Sequence, residues 1–490
     1  MTGRVGVGWH DDVVGDTLAI KSAGGRWLLT ATVLGSSLAM LDATVVNVAL
    51  PDIGADLGTG VAGLQWTVNS YTLTLASFIL LGGALGDRWG RRRVFLVGVV
   101  WFAVASLLCG FAPNIETLVA ARALQGVGGA LLTPGSLALI SASIDESDRG
   151  AAIGAWSGLG GVAAAVGPLL GGWLVGAVSW RAVFLINVPV AAAIVWIAVR
   201  HVPESRDPDA PRSFDVPGIV LAAAALAFGT YGLIASEPVP AVTGLLLLVA
   251  FVVQERRSPH PLVPLVLFAE RVFAAANLVT LAVYAALGGT FFLLVLELQV
   301  VAGYSPLAAG AASLPITVLM LVLSSYAGAV ATRIGPRLPM TVGPLLSAAG
   351  LLLLLRIGPD TSYWRDVLPG VVVFGLGLSM LVAPLTTAVL GAAPRTQAGI
   401  ASGINNAVAR TAQLLAVAAL PALVGIRGDD YADPGVFDRG FTTAMLICAG
   451  LLVAGGLVAA ALVRKVPHQY PVPVERNAHC GVSQPASHPR

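Results

Sequence analysis

The chain has 490 residues, of which 56% are hydrophobic and only 11% charged, with a formal net charge of +2. Soluble domains carry about 25% charged residues, so a water-soluble globular protein is excluded, and so small a net charge gives nucleic acid nothing to bind. Apolar runs of about 20 residues recur from residue 27 to residue 463, long enough for helices to cross a bilayer and too continuous for barrel strands. The expected fold class is an all-α integral membrane protein of about fourteen transmembrane helices.

In chain order, residues 1–26 read as a cytoplasmic tail, because Asp11, Asp12 and Asp16 interrupt any signal-like apolar core. Spans follow, centred near residues 38, 75, 103, 128, 162, 190, 225, 247, 285, 318, 347, 377, 411 and 451, the eighth being the shortest. Residues 27–200 hold six spans, 201–258 a Pro-rich linker and two additional spans, and 259–464 six more. Residues 465–490 are Pro-rich and polar, and are expected to be disordered. Of the 28 Lys and Arg residues, only Arg181, Arg356, Arg365, Arg427 and Arg439 fall in the loops opposite the termini. The positive-inside rule therefore places both termini in the cytoplasm. Cys109, Cys448 and Cys480 lie far apart, and the histidines fall in tails or loops, so neither a disulfide framework nor a metal site is expected.

The densest charge cluster lies between the second and third spans, in Gly83-Ala-Leu-Gly-Asp-Arg-Trp-Gly-Arg-Arg-Arg93. It has an echo 245 residues later, in Gly328-Ala-Val-Ala-Thr-Arg-Ile-Gly-Pro-Arg337, which keeps both glycines and has Thr332 in place of Asp87. Gly126, Gly128, Gly150 and Gly154 likewise match Gly375, Gly377, Gly399 and Gly403. Two parallel six-helix halves with a site at their interface are the plan of an alternating-access transporter.

Four further stretches accompany the loop. They are Leu41-Asp-Ala-Thr-Val-Val-Asn-Val-Ala-Leu-Pro51, Leu118 to Ala130 with Arg122, Gln125 and Gly126, the Gly167-Pro168-Leu-Leu-Gly171-Gly172 run, and Trp180 to Pro189. Together, in this order, they resemble the major facilitator superfamily in its fourteen-span drug:proton antiporter branch. The resemblance spans residues 27 to 464 and departs where Ala163 replaces a glycine before Gly167. It implies a proton-coupled exporter of hydrophobic or cationic small molecules that needs no cofactor beyond the proton-motive force. Its expected partners are the substrate, protons and lipid, and it is expected to be a monomer and not an enzyme. The alternatives are an uptake symporter for a small metabolite and, from another class, a membrane enzyme or channel. The Gly-Pro element argues against the first, and the lack of intramembrane histidine against the second.

Charges inside a membrane are costly and mark function by default. Asp42 lies in mid-span, where low dielectric favours the protonated form and proton exchange near neutral pH. A structural hydrogen bond is the plainer reading. Arg122 cannot lose its proton and is expected to hold a nearby acid ionised. Arg410 is either an anchor or a functional residue, and Gln413, Leu414 and Leu415 follow it where the branch has smaller side chains. Glu297, near the outer end of the ninth span, can attract cations or carry a proton. The preferred reading is that it reaches the interface and is hydrated. In the loop, the resemblance gives Gly83, Asp87, Arg88, Gly90, Arg91 and Arg92 a gating role, with Asp87 charge-pairing to a helix of the opposite half when the inner gate closes. Gly167, Pro168, Gly171 and Gly172 are expected to bend and tightly pack the fifth helix at the interface between halves, sealing it against proton leak.

Overall fold

A computed structural model describes residues 17–207, 215–259, 261–394 and 397–463. Most of both expected tails, residues 208–214 of the linker, and residues 260, 395 and 396 lie outside the described residues. Fourteen helices there are long and apolar enough to cross a membrane. The first six are α1 (Ala23–Leu57), α2 (Val61–Trp89), α3 (Arg91–Gly110), α4 (Ile115–Ser143), α5 (Glu146–Ala177) and α6 (Ala182–His201, interrupted by a turn at Ile186). Two more follow, α7 (Val216–Ala235) and α8 (Pro238–Arg257). The last six are α9 (Arg271–Val300), α10 (Pro306–Ile334, broken at Ser313), α11 (Arg337–Leu354), α12 (Tyr363–Gly391), α13 (Gly399–Leu423) and α14 (Pro434–Leu462). The eighth span, expected to be the shortest, has 20 residues, and the shortest is α11 with 18. Flanking polar residues hid the true extent of α8, since Gln254 and Glu255 still belong to it.

Packing repeats between the halves. In the first, α4 lies against α2 and α3, and α1 against α5 and α6; in the second, α12 lies against α10 and α11, and α9 against α13 and α14. The echoing glycines explain why. A Cβ on Gly126 or Gly128 would run into Tyr71 of α2 or, at 2.7 Å, into the Phe102 backbone nitrogen of α3. On Gly375 it would meet Ile316 Cα of α10 at 2.8 Å, and on Gly377 the Gly343 carbonyl of α11 at 2.5 Å. Both copies therefore let three helices approach backbone to backbone, which is how small residues pack membrane helices. The halves meet along two symmetric seams, α2 on α13 and α5 on α10. The inserted pair stays outside the bundle, with α7 leaning on both α2 and α13.

The two hinges correspond as well. Gly90 (φ 107°) ends α2 and Gly335 (φ 86°) ends α10, and both positive φ values suit glycine and strain other residues. Arg92 donates to the Val202 carbonyl, just past α6 (2.9 Å), and its counterpart Arg337 donates to the Ala460 carbonyl near the end of α14 (2.8 Å). A cation there satisfies carbonyls that have no partner within the helix. Residues 17–22, assigned to the tail by sequence, are fastened to the α4–α5 turn: Leu18 N–H donates to Ser143 O (2.8 Å) and Ile20 N–H to Asp148 Oδ2 (2.9 Å).

Candidate functional site

The fully buried Asp42 and Arg122 meet inside the first half. Asp42 enters from α1 and Arg122 from α4, and Arg122 Nη1 donates to Asp42 Oδ2 at 2.5 Å. The other carboxylate oxygen, Oδ1, accepts from Gln125 Nε2 (2.8 Å) and Asn187 Nδ2 (3.0 Å). Ser106 of α3 accepts from both of these amides, at 3.2 and 2.9 Å. Arg122 Nε donates to the Thr67 carbonyl of α2 (3.1 Å), and Nη1 also donates to Gln125 Oε1 (2.7 Å). The guanidinium lies 4.4 Å from the centre of the Tyr71 ring, within cation–π range. Side chains or carbonyls from α1, α2, α3, α4 and α6 thus converge on one buried ion pair. Removing one partner of such a pair is expensive, because the other charge is stranded in low dielectric.

Sequence reasoning assigned roles to Asp42 and Arg122 but none to Gln125, Asn187, Ser106 or Thr67. The signal for two of them was present, since Gln125 and Asn187 stand inside the stretches that carried the family resemblance. Ser106 and Thr67 give no such sign.

Arg410 reaches toward this cluster from α13. It is partly buried, donates to Gln413 Oε1 (3.3 Å), and its charge acts on the hydroxyl groups of both Tyr71 and Tyr284. The Gln413 that replaces a small residue is accommodated from the other side, because Gly288 of α9 faces its backbone.

Gly167 and Gly171 face Thr44 and Val45 of α1. Gly172 lies on the seam, where a Cβ would come within 2.5 Å of Leu307 Cα on α10. Gly310 of α10 in turn packs on the Pro168 carbonyl. Pro168 sits within a continuous α5.

The seam is closed at the end of the bundle away from the termini. There Gln65 of α2 donates to the Val417 and Ala418 carbonyls of α13 (2.7 and 2.9 Å), Val61 N–H to Gly428 O (2.7 Å), and Gln299 of α9 to Val48 O of α1 (3.0 Å). Val417 O is available because Pro421, four residues on, has no N–H to offer it. Toward the termini, Gly150, Gly154 and Gly158 of α5 have nothing within 4 Å of where a Cβ would stand. Asp87 is here bonded to Arg91 in its own half (Nη2 to Oδ1, 2.8 Å) and is 40% exposed. The carboxylate that caps a helix N-terminus at this hinge is Glu204, which accepts from the Arg92 and Arg93 N–H groups of α3 at 3.0 and 3.2 Å. Asp207 N–H donates to the Asp87 carbonyl (2.9 Å), so the linker after α6 straps the hinge in place.

Glu297 corrects an expectation. It is not hydrated: it is fully buried, and neither carboxylate oxygen accepts a hydrogen bond. The reason is the closed far end, where α9 is pinned to α1 two residues further on, at Gln299.

The Major Facilitator Superfamily family model matches residues 32–417, with a second match over 327–485. The chain is 36% identical over 479 residues to the tetracenomycin C resistance and export protein of Streptomyces glaucescens, covering 94% of this chain and 86% of that one. It is 37% identical over 462 residues to the puromycin resistance protein pur8 of Streptomyces alboniger, covering 89% and 91%. Among solved structures, an auto-inhibited POT family peptide transporter superposes with a TM-score of 0.69 at 18% identity, covering 91% of this chain and 98% of that one. A bacterial homologue of the lysosomal transporter Spinster, in an inward-facing conformation, gives 0.62 at 18%, covering 91% and 100%. At these identities the structural likenesses bear on the fold alone.

Proposed function

The chain belongs to the major facilitator superfamily, and from that premise we propose that it exports hydrophobic or cationic small molecules, antibiotics among them, in exchange for protons. The observation that carries the reading is the buried Asp42–Arg122 pair, in a chain whose relatives over nearly its whole length are named for drug resistance and export. Both termini lie in the cytoplasm of a bacterial cell on this reading, so the end closed by the seam bonds faces the outside.

The geometry supplies a coupling step. With Asp42 ionised, Arg122 and the two amides hold α1 to α4 and α6. A proton on Asp42 cancels the attraction. Arg122 stays charged, but it already has acceptors in Thr67 O and Gln125 Oε1 and a ring face in Tyr71. The pair can therefore part without leaving the guanidinium bare, and α1 is freed to move. Arg410, across the seam beside Tyr71, feels the change and extends it to the second half. Arg122 and Arg410 here act on the proton and on helix positions, while Asp42 is the acid that takes the proton or faces a cationic drug. Asp87 and the arginines around it serve the inner gate. In the conformation seen Asp87 rests on Arg91, and on closure of the inner gate it turns to the opposite half. The α5 glycines keep the α5–α10 seam tight.

The test is drug susceptibility of a sensitive bacterial host expressing the chain, with puromycin and ethidium as probes, with and without a protonophore. Resistance that appears with expression and collapses with the protonophore supports the reading. Resistance indifferent to the protonophore contradicts proton coupling, and unchanged susceptibility to every probe contradicts export of this class.

A further inference from the structure

The second half has no ion pair in the place of Asp42–Arg122, yet it buries an acid of its own. Glu297 has no exposed surface, and neither of its oxygens meets a donor. An ionised carboxylate in that setting is a buried charge with nothing to compensate it, which proteins avoid by neutralising the group. The side chain facing it is another acid, the half-buried Asp438 in the second turn of α14. Two carboxylates cannot bond each other, because both only accept. They bond when one carries a proton and donates it, which is how acid pairs elsewhere share a single proton.

The cations on the described elements packed against α9 do not offset this, since Arg439 of α14 and Arg26 in the first turn of α1 are both exposed. The Leu368–Gly391 part of α12, the first turns of α10 (306–312) and the short turn Leu265–Ala269 carry no charged side chain, and the exposed Arg365 in the first turn of α12 is bonded to Asp366 (3.0 Å). The one ionisable residue of α13 is Arg410, which is engaged near Tyr71 and Tyr284. On α1, Asp42 is held by Arg122 and Asp56 by Arg181 (2.6 Å), and Asp52 is another acid. The turn Asp430–Ala432 adds Asp430 and Tyr431. Asp438 is the group whose charge acts on Glu297.

We propose that Glu297 and Asp438 form a second proton-carrying site, which holds one shared proton while the far end is closed and exchanges it with the far side of the membrane when that end opens. Position gives the pair its timing. Gln299, two residues on from Glu297 in the same α9 turn, makes the seam bond to Val48 O. Opening the far end breaks that bond, draws α9 from α1 and lets water reach Glu297. Its O–H proton then passes to water, by way of the partly exposed Asp438, and the carboxylate left behind is hydrated. Closing the far end requires a proton to return first. No bond other than O–H is made or broken. The site is separate from Asp42–Arg122, and its role as a carrier rests on the antiport reading.

Infrared pH titration of the full-length protein in lipid nanodiscs, without substrate or gradient, tests the pair directly. The wild type is expected to show the carbonyl stretch of a protonated carboxyl group at neutral pH. Glu297→Gln is expected to lose that band. Asp438→Asn is expected to keep it and move the pH at which it titrates, and Asp42→Asn to leave it in place. Should Glu297→Gln fail to fold, Glu297→Asp retains the band at a displaced frequency. A wild-type spectrum without the band, or one that Glu297→Gln and Asp438→Asn both leave unchanged, overturns the shared proton. These spectra do not depend on transport, so they stand apart from the susceptibility test. In proteoliposomes, Glu297→Gln is then expected to move fewer protons per ethidium than the wild type, and an unchanged ratio overturns the carrying role.

Discussion

Arg92 and Arg337 stand at the same point of the two halves, and each gives its guanidinium to the carbonyl end of the helix that closes its half. Gly90 and Gly335 end equivalent helices with the same unusual backbone, and the glycines of α4 and α12 admit the same neighbours. Against that shared frame the electrical differences stand out. Where α4 carries Arg122, the paired position of α12 is Val371, fully buried. Where the first hinge carries Asp87, the second has Thr332, whose hydroxyl turns back to Ala329 O. The lesson is that the repeat fixes how helices pack, while the buried and hinge charges sit at positions that the repeat does not share. The first half holds its acid with an arginine, and the second leaves its acid without one.

That contrast can be broken from either side. Arg122→Ala has the largest expected effect, because it strands Asp42 in the bundle interior. Removing one partner of a buried ion pair costs about 3–5 kcal/mol, readable as a lower unfolding temperature of the purified protein. The double variant Asp42→Asn/Arg122→Gln is expected to lose less than Arg122→Ala alone, and an equal or greater loss would show that the pair itself is not the issue.

Gly172→Ala comes next. Its Cβ would press on Leu307 Cα at 2.5 Å and Pro306 O at 2.6 Å, both of them backbone atoms that cannot turn aside. Overpacking of this kind costs about 1–3 kcal/mol. The expected result is a proton leak across liposomes without substrate, whereas a tight membrane with normal export would remove the α5–α10 seam from the account.

Gln65→Leu leaves Val417 O without a donor, a loss of about 1–3 kcal/mol for a buried carbonyl. Because the bond exists only with the far end closed, the variant is expected to favour the other conformation. Thiol labelling of a cysteine placed at the far end should speed up, and an unchanged labelling rate would mean that the seam is held elsewhere.

The smallest effect is expected from Glu204→Gln, which weakens the anion at the N-terminus of α3. Such an interaction is worth about 0.3–1 kcal/mol at an exposed site, so transport should slow modestly, more at low salt than at high.

Much of this was legible in the sequence because membranes impose a simple grammar. Fourteen apolar stretches, the doubled hinge and the spaced glycines followed from hydropathy and spacing, and Asp42 and Arg122 stood out as charges where charges are costly. What stayed hidden depends on contacts between distant segments. Nothing in the spacing of Ser106, Thr67 or Asn187 tells that they converge on one buried ion pair. Glu297 misled for the same reason: a charge near a helix end is expected to reach water, and only the closing of α9 against α1 shows that it does not. Glu204 lay in a linker that reads as a mere connection, and its work as a cap appears only when the linker folds back on the hinge.

The central claim is that the Asp42–Arg122 pair exchanges protons for substrate, and the most direct test is substrate-driven proton movement in proteoliposomes. Addition of ethidium to liposomes holding the wild type is predicted to drive a proton flux. With Asp42→Asn the flux is predicted to vanish while the protein remains folded and Arg122 keeps its bonds to Thr67 and Gln125. An undiminished flux from Asp42→Asn would contradict the account.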